Sequence, residues 1–138
     1  MDYKRLLTYL RDHWGCQEAY LCAAYAPVNV NDSFRGVLDS AKKSGWIVLE
    51  LEIRSGKPRT SPLIAYALGR HFKQSVVLIS GFNELSAVVQ AHLDEGRGRL
   101  ALLEDPSYSG KELSRAVPNR FKYPLDNLQE HIRKTRNV

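Results

Sequence analysis

Four consecutive apolar residues, Val76-Val77-Leu78-Ile79, run straight into Ser80-Gly81, and an amphipathic pattern follows at Leu85, Val88, Val89 and Leu93. A run without polar alternation is a strand covered on both faces, the signature of a parallel sheet. The Ser-Gly pair then allows a tight turn into the covering helix. This strand–turn–helix unit confines the chain to the α/β class. In open α/β sheets the ligand crevice lies beyond the carboxyl ends of the strands. Ser80, Phe82, Asn83 and Glu84 are therefore the first residues to consider for function.

The rest of the chain repeats the alternation. Leu6, Leu7, Leu10 and Trp14 recur at helical spacing, and Gly15 can end that helix. Glu18 to Tyr25 reads as a buried strand. Asn31 and Asp32 are candidate caps for a helix burying Phe34, Val37, Leu38 and Ala41, with Gly45 as its left-handed stop. In Trp46 to Ile53, Leu49, Leu51 and Ile53 share one face, and Glu50 and Glu52 the other. A charged face suits an edge strand. Ser61-Pro62 opens a helix burying Leu63, Ile64, Ala67, Leu68 and Phe72. The helix after Ser80-Gly81 closes at Gly96. Leu100 to Leu103 is a short buried strand ending in a Glu104-Asp105-Pro106 turn. Ser109 and Glu112 make a capping box before Leu113 and Val117. Phe121 to Tyr123 forms a last brief strand, and Pro124 opens a helix with Leu125, Leu128 and Ile132 buried. The expected architecture is a three-layer αβα sandwich with a mainly parallel sheet of four to five strands. Residues 1–138 make a single domain, with a basic tail over 133–138.

Twenty Lys and Arg against 15 Asp and Glu leave a formal charge of +5. That excess favours phosphate or acidic partners over basic ones. Lys57 and Arg59 stand in one basic loop, and Lys111 precedes a later helix. Loops at strand ends can bring them near Ser80, Asn83 and Glu84, where they would meet phosphates. Tyr25, Tyr66, Phe82 and Tyr108 offer rings on which unpaired bases could stack. Scattered basic residues over core aromatics would have the same composition. No signal-peptide core or membrane-length apolar run is present, which predicts a soluble cytoplasmic protein without membrane association.

Several chemistries find no motif. Cys16 and Cys22 fit no zinc or redox spacing and are expected as buried, reduced thiols. His13, His71, His92 and His131 form no ligand pair and are expected at the surface. Ser80 lacks the glycine two residues before it that a nucleophile elbow needs; Leu78 stands there. No Walker loop or dinucleotide fingerprint occurs.

Four pieces, in order, carry a family likeness. They are the strands flanking the helix Ser33 to Ser44; Gly56-Lys57 leading into the helix at Ser61; Val77-Leu78-Ile79-Ser80-Gly81 followed by Asn83-Glu84-Leu85; and Glu112-Leu113, Asn119-Arg120-Phe121 and Pro124-Leu125-Asp126. From about Glu18 to Leu125 the chain resembles the NYN domains, relatives of the PIN-type ribonucleases. The resemblance implies a site of clustered carboxylates that hold Mg²⁺ or Mn²⁺ against a scissile phosphate. This chain departs from that pattern. The family's first strand, which ends in an aspartate, has no counterpart here. Thr60 or Ser61 stands where the family has an aspartate after the lysine loop. Ala65, Tyr66 or Ala67 replaces a further acid, and Phe82 replaces the first aspartate of the Ser-Gly turn. Glu84 alone keeps its acidic character.

A single carboxylate grips Mg²⁺ weakly. The expectation is therefore a degenerate NYN/PIN-like domain without a cofactor, binding RNA or a protein partner through Lys57, Arg59, Ser80, Asn83 and Lys111. One alternative is an active Mg- or Mn-dependent endoribonuclease with Glu84 as its catalytic residue and Asp32, Glu84 and Asp105 as metal ligands. Another is a structural subunit with no nucleic-acid role. Without the family's first strand, the strand at Glu18 and the one at Val76 are expected to pair directly in a smaller sheet, and a homodimer could form over exposed apolar surface.

Overall fold

The computed structural model describes residues 2–71, 74–80, 82–94, 100–104 and 111–124. The chain divides into two compact units, residues 1–64 and 65–138.

In the first unit, α1 (Tyr3–Trp14) is capped by Asp2, whose carboxylate accepts the Arg5 N–H at 3.0 Å. It buries Leu6, Leu7 and Leu10 and stops at Gly15, whose φ of 69° suits a residue without a Cβ. Strand β1 (Tyr20–Tyr25) pairs in parallel with β2 (Ile47–Glu52), Cys22 opposite Leu49. The crossover between them is α2 (Asp32–Lys43), and Asn31 is its cap, accepting the Phe34 N–H at 2.8 Å. Asp32 is the first helical residue, where a carboxylate complements the positive helix end. Leu38 and Ala41 are buried, but Val37 is exposed, because its position lies one residue off the stripe that they define. Trp46 anchors the start of β2: its indole N–H donates to the Tyr3 carbonyl at 2.9 Å, and its ring meets that of Tyr3 edge-on at 5.8 Å. On β2, Lys42 pairs with Glu50 at 3.0 Å and Arg54 with Glu52 at 3.6 Å, both at the surface.

Helix α3 (Ser61–Arg70) begins one residue earlier than Ser61-Pro62 suggests. The Thr60 carbonyl accepts the first helical N–H groups, from Leu63 and Ile64, so Thr60 is the cap and Ser61 is buried.

In the second unit, β3 (Val76–Ile79), β4 (Leu100–Glu104) and β5 (Lys122–Pro124) form a parallel sheet in the order β3-β4-β5. Leu78 lies opposite Leu102, and Leu103 opposite Tyr123. A 3₁₀ turn, Asn83–Leu85, leads into α4 (Ser86–Asp94), and α5 (Lys111–Ala116) precedes β5. Leu78, Leu85, Val89, Leu100, Leu102, Leu103, Leu113 and Val117 make the core. Lys122 ties the end of α5 to β5, its ammonium donating to the Ser114 carbonyl at 3.1 Å and hydroxyl at 3.2 Å.

The α/β class, the parallel pairing and the five strands match the sequence expectation, but the strands form sheets of two and three rather than one of four to five. At β1 the Ala24 N–H, on the edge facing away from β2, donates to the Thr60 hydroxyl at 3.3 Å. Two further expectations are corrected. His92 is buried at 1% exposure, not at the surface, because α4 turns Leu85, Val89 and His92 inward where Val88 and Leu93 were expected beside Leu85 and Val89. Cys16 and Cys22 are free but only half-buried, and that burial raises both thiol pKa values. Gly96, Asp105, Ser109, His131 and the expected C-terminal helix lie outside the described residues.

Candidate functional site at the carboxyl end of β3

Beyond Ile79 the chain turns through a short hydrogen-bonded loop. The Ser80 hydroxyl accepts the Phe82 N–H at 3.2 Å, and the Phe82 carbonyl accepts the Leu85 N–H at 3.1 Å. These two bonds fold the turn tightly enough to bury Leu85 while leaving Phe82 outside, 45% exposed.

Asn83 carries out a task that its neighbours in sequence do not reveal. Its side-chain oxygen accepts the N–H groups of Glu112 at 3.0 Å and Leu113 at 3.2 Å. These are first-turn donors of α5, which have no partner within the helix. Asn83 thus caps α5 from about thirty positions upstream, and the cap holds Lys111, the first residue of α5, beside the β3 turn. Ser80, Asn83, Glu84 and Lys111 are therefore brought together in the second unit. Phe82, Glu84, Lys111 and Glu112 are exposed around them.

Lys57, Arg59 and Asp32 belong to the first unit. Lys57 and Arg59 are exposed on the loop from β2 to α3, which turns at Gly56 with φ at 87°. Asp32 is exposed at the start of α2. Thr60, which with Ser61 stands where the resemblance implies an aspartate, accepts the Ala24 N–H of β1 through its hydroxyl.

A divalent cation of the kind the resemblance implies needs several converging oxygens. Among the described residues no three His, Cys, Asp or Glu side chains gather to hold one. Phe82 and Thr60 supply no carboxylate. The alternative trio is described only for Asp32 and Glu84.

His92 packs under this unit. Its Nε2 lies 3.1 Å from the Gln74 carbonyl, which can only accept, so Nε2 carries the proton. Burial holds its pKa below the ordinary imidazole value, and the bond to Gln74 opposes that shift in part. No motif pointed to His92. The signal lay in its spacing, three residues after Val89 and seven after Leu85.

No helix among the described residues is long and apolar enough to cross a membrane. No family model and no curated protein matches the sequence. Among solved structures the chain is similar to a protein of unknown function from Vibrio parahaemolyticus. The two are 17% identical with a TM-score of 0.65, and the match covers 91% of this chain and 79% of that one. At that identity the likeness shows the fold alone, helices alternating with parallel strands.

Proposed function

We propose that the chain is a non-hydrolytic NYN/PIN-like module that binds single-stranded RNA beyond the carboxyl end of β3. The observation that carries this reading is the Asn83 cap, which joins the first turn of α5, where Lys111 is exposed, to the turn that carries the exposed ring of Phe82. An exposed ring and a cation carried by joined turns suit an unpaired base and its phosphate. The formal charge of +5 assists encounter with a polyanion. Glu84, at the amino end of α4, complements the helix dipole in this reading and has no part in hydrolysis.

Fluorescence anisotropy with a labelled single-stranded RNA oligonucleotide tests it. Binding is expected to weaken as salt rises. Phe82→Ala should cost about 1–3 kcal/mol through lost stacking. Lys111→Ala should reduce the salt slope by about one. RNA binding indifferent to both substitutions, or none at low salt, would refute the reading. Mn²⁺-dependent cleavage abolished by Glu84→Ala would put the ribonuclease in its place.

A further inference from the structure

The second unit carries an open groove of about 290 Å³ between α3 and α4, lined by Leu68, Gly69, Ala87, Val88, Ala91 and His92. Its walls are apolar. Its width comes from residues with almost no side chain, Gly69 on one helix and Ala87 and Ala91 on the other, all three exposed. A cavity of about 150 Å³ takes a benzene ring, so this groove has room for a phenol.

Such a ring stands on the same face. Tyr66, three residues before Gly69, is 58% exposed, more than any other aromatic side chain among the described residues. The Arg70 guanidinium lies over it, 5.9 Å from the ring centre. The two exposed side chains thus lie together on the outer side of α3. Across the groove, Asp94 is exposed on the helical stripe of Ala87 and Ala91. Arg70 and Asp94 make no ion pair among the described residues. One surface thus presents a knob, a hole, a cation and an anion.

We propose that this face binds a second copy of the chain. α4 is the crossover between the parallel strands β3 and β4 and so runs opposite to them; in the proposed dimer α3, which precedes β3, runs alongside it. A two-fold axis along the groove then lays α3 of one copy over α4 of the other. Tyr66 enters the groove of the second copy between Ala87 and Ala91. Arg70, about 6 Å further along the helix, meets Asp94 of the second copy. The symmetry makes each contact twice. The face measures about 15 by 20 Å from helix dimensions, short of the roughly 800 Å² per partner of a standard complex. Association is therefore weak and depends on concentration.

Sedimentation velocity on the full chain, over micromolar to sub-millimolar concentrations, tests the proposal. The wild type is expected to shift from monomer to dimer. Arg70→Asp places two acids together and Asp94→Arg two bases, so each variant alone should dimerise about tenfold more weakly or worse. An equimolar mixture of the two variants restores both pairs as Asp with Arg and should recover the wild-type dimer. That recovery also shows that both variants are folded. Ala91→Glu, which fills the groove at an exposed position, should abolish dimers. A strict monomer at every concentration, a dimer unchanged in the single variants, or a mixture no better than either variant alone would overturn the proposal.

Discussion

Replacing Asn83 by alanine removes one oxygen but leaves two donors without their acceptor. The N–H groups of Glu112 and Leu113 lose bonds of 3.0 and 3.2 Å. Loss of a helix cap costs about 0.5–2 kcal/mol. The upper half of that range applies, because the Leu113 N–H is partly shielded from water and Leu113 itself is buried. The expected loss is therefore about 1–2 kcal/mol, a drop in Tm of roughly 3–10 °C for a chain of this size. Asn83→Asp keeps the acceptor and adds a negative charge at the helix start, which is favourable by about 0.3–1 kcal/mol. It should be as stable as the wild type or more so. Thermal denaturation followed by circular dichroism reads the global effect, and hydrogen exchange at the amides of Glu112 and Leu113 reads the local one. Unchanged exchange at those two amides in Asn83→Ala, or an Asn83→Asp variant as damaged as the alanine, would refute the reasoning.

Two more outcomes follow from buried polar contacts. His92 has a folded-state pKa below its unfolded value near 6.5. The unfolded chain therefore takes up the proton first as pH falls. Stability should be flat above about pH 6.5 and decline below it, by at most about 1.4 kcal/mol per pH unit from this group. His92→Leu should flatten that decline in urea titrations between mildly acidic and neutral pH, and an unaltered slope would assign the acid sensitivity elsewhere. Thr60→Val deletes the acceptor of the Ala24 N–H. It should cost about 0.5–1.5 kcal/mol and speed exchange at the Ala24 amide, with no change expected at Asn83.

The sequence was most informative where structure depends on neighbours. Val76 to Ile79 and Leu100 to Leu103 announce buried parallel strands by lacking alternation, and they pair as such. Asn31 caps a helix that starts beside it, a signal contained within four residues. Gly15 and Gly45 mark helix ends because both adopt positive φ. At Gly45 a Cβ would also come within 3.2 Å of Leu7. What stayed hidden depends on distant partners. Asn83 reads as a loop residue until α5 is seen to arrive against it. Thr60 reads as a loop residue until its hydroxyl is seen to accept the Ala24 N–H of β1. His92 reads as polar, hence outward, because its bond to Gln74 crosses eighteen residues. Hydropathy does not encode such contacts. Of the candidate residues, Asn83 reaches the first turn of α5, which begins at Lys111, and Ser80 and Glu84 lie in the same turn as Asn83. Lys57 and Arg59 belong to the other unit.

The indole bond that fastens Trp46 to the backbone of Tyr3 has a practical corollary. Trp14 and Trp46 are the chain's two tryptophans, and both fall before residue 65. Intrinsic emission is thus a private signal of the first half, silent about the second, whereas far-ultraviolet dichroism sums over both. Superimposing the two melting profiles tells whether the halves let go in concert or one after the other.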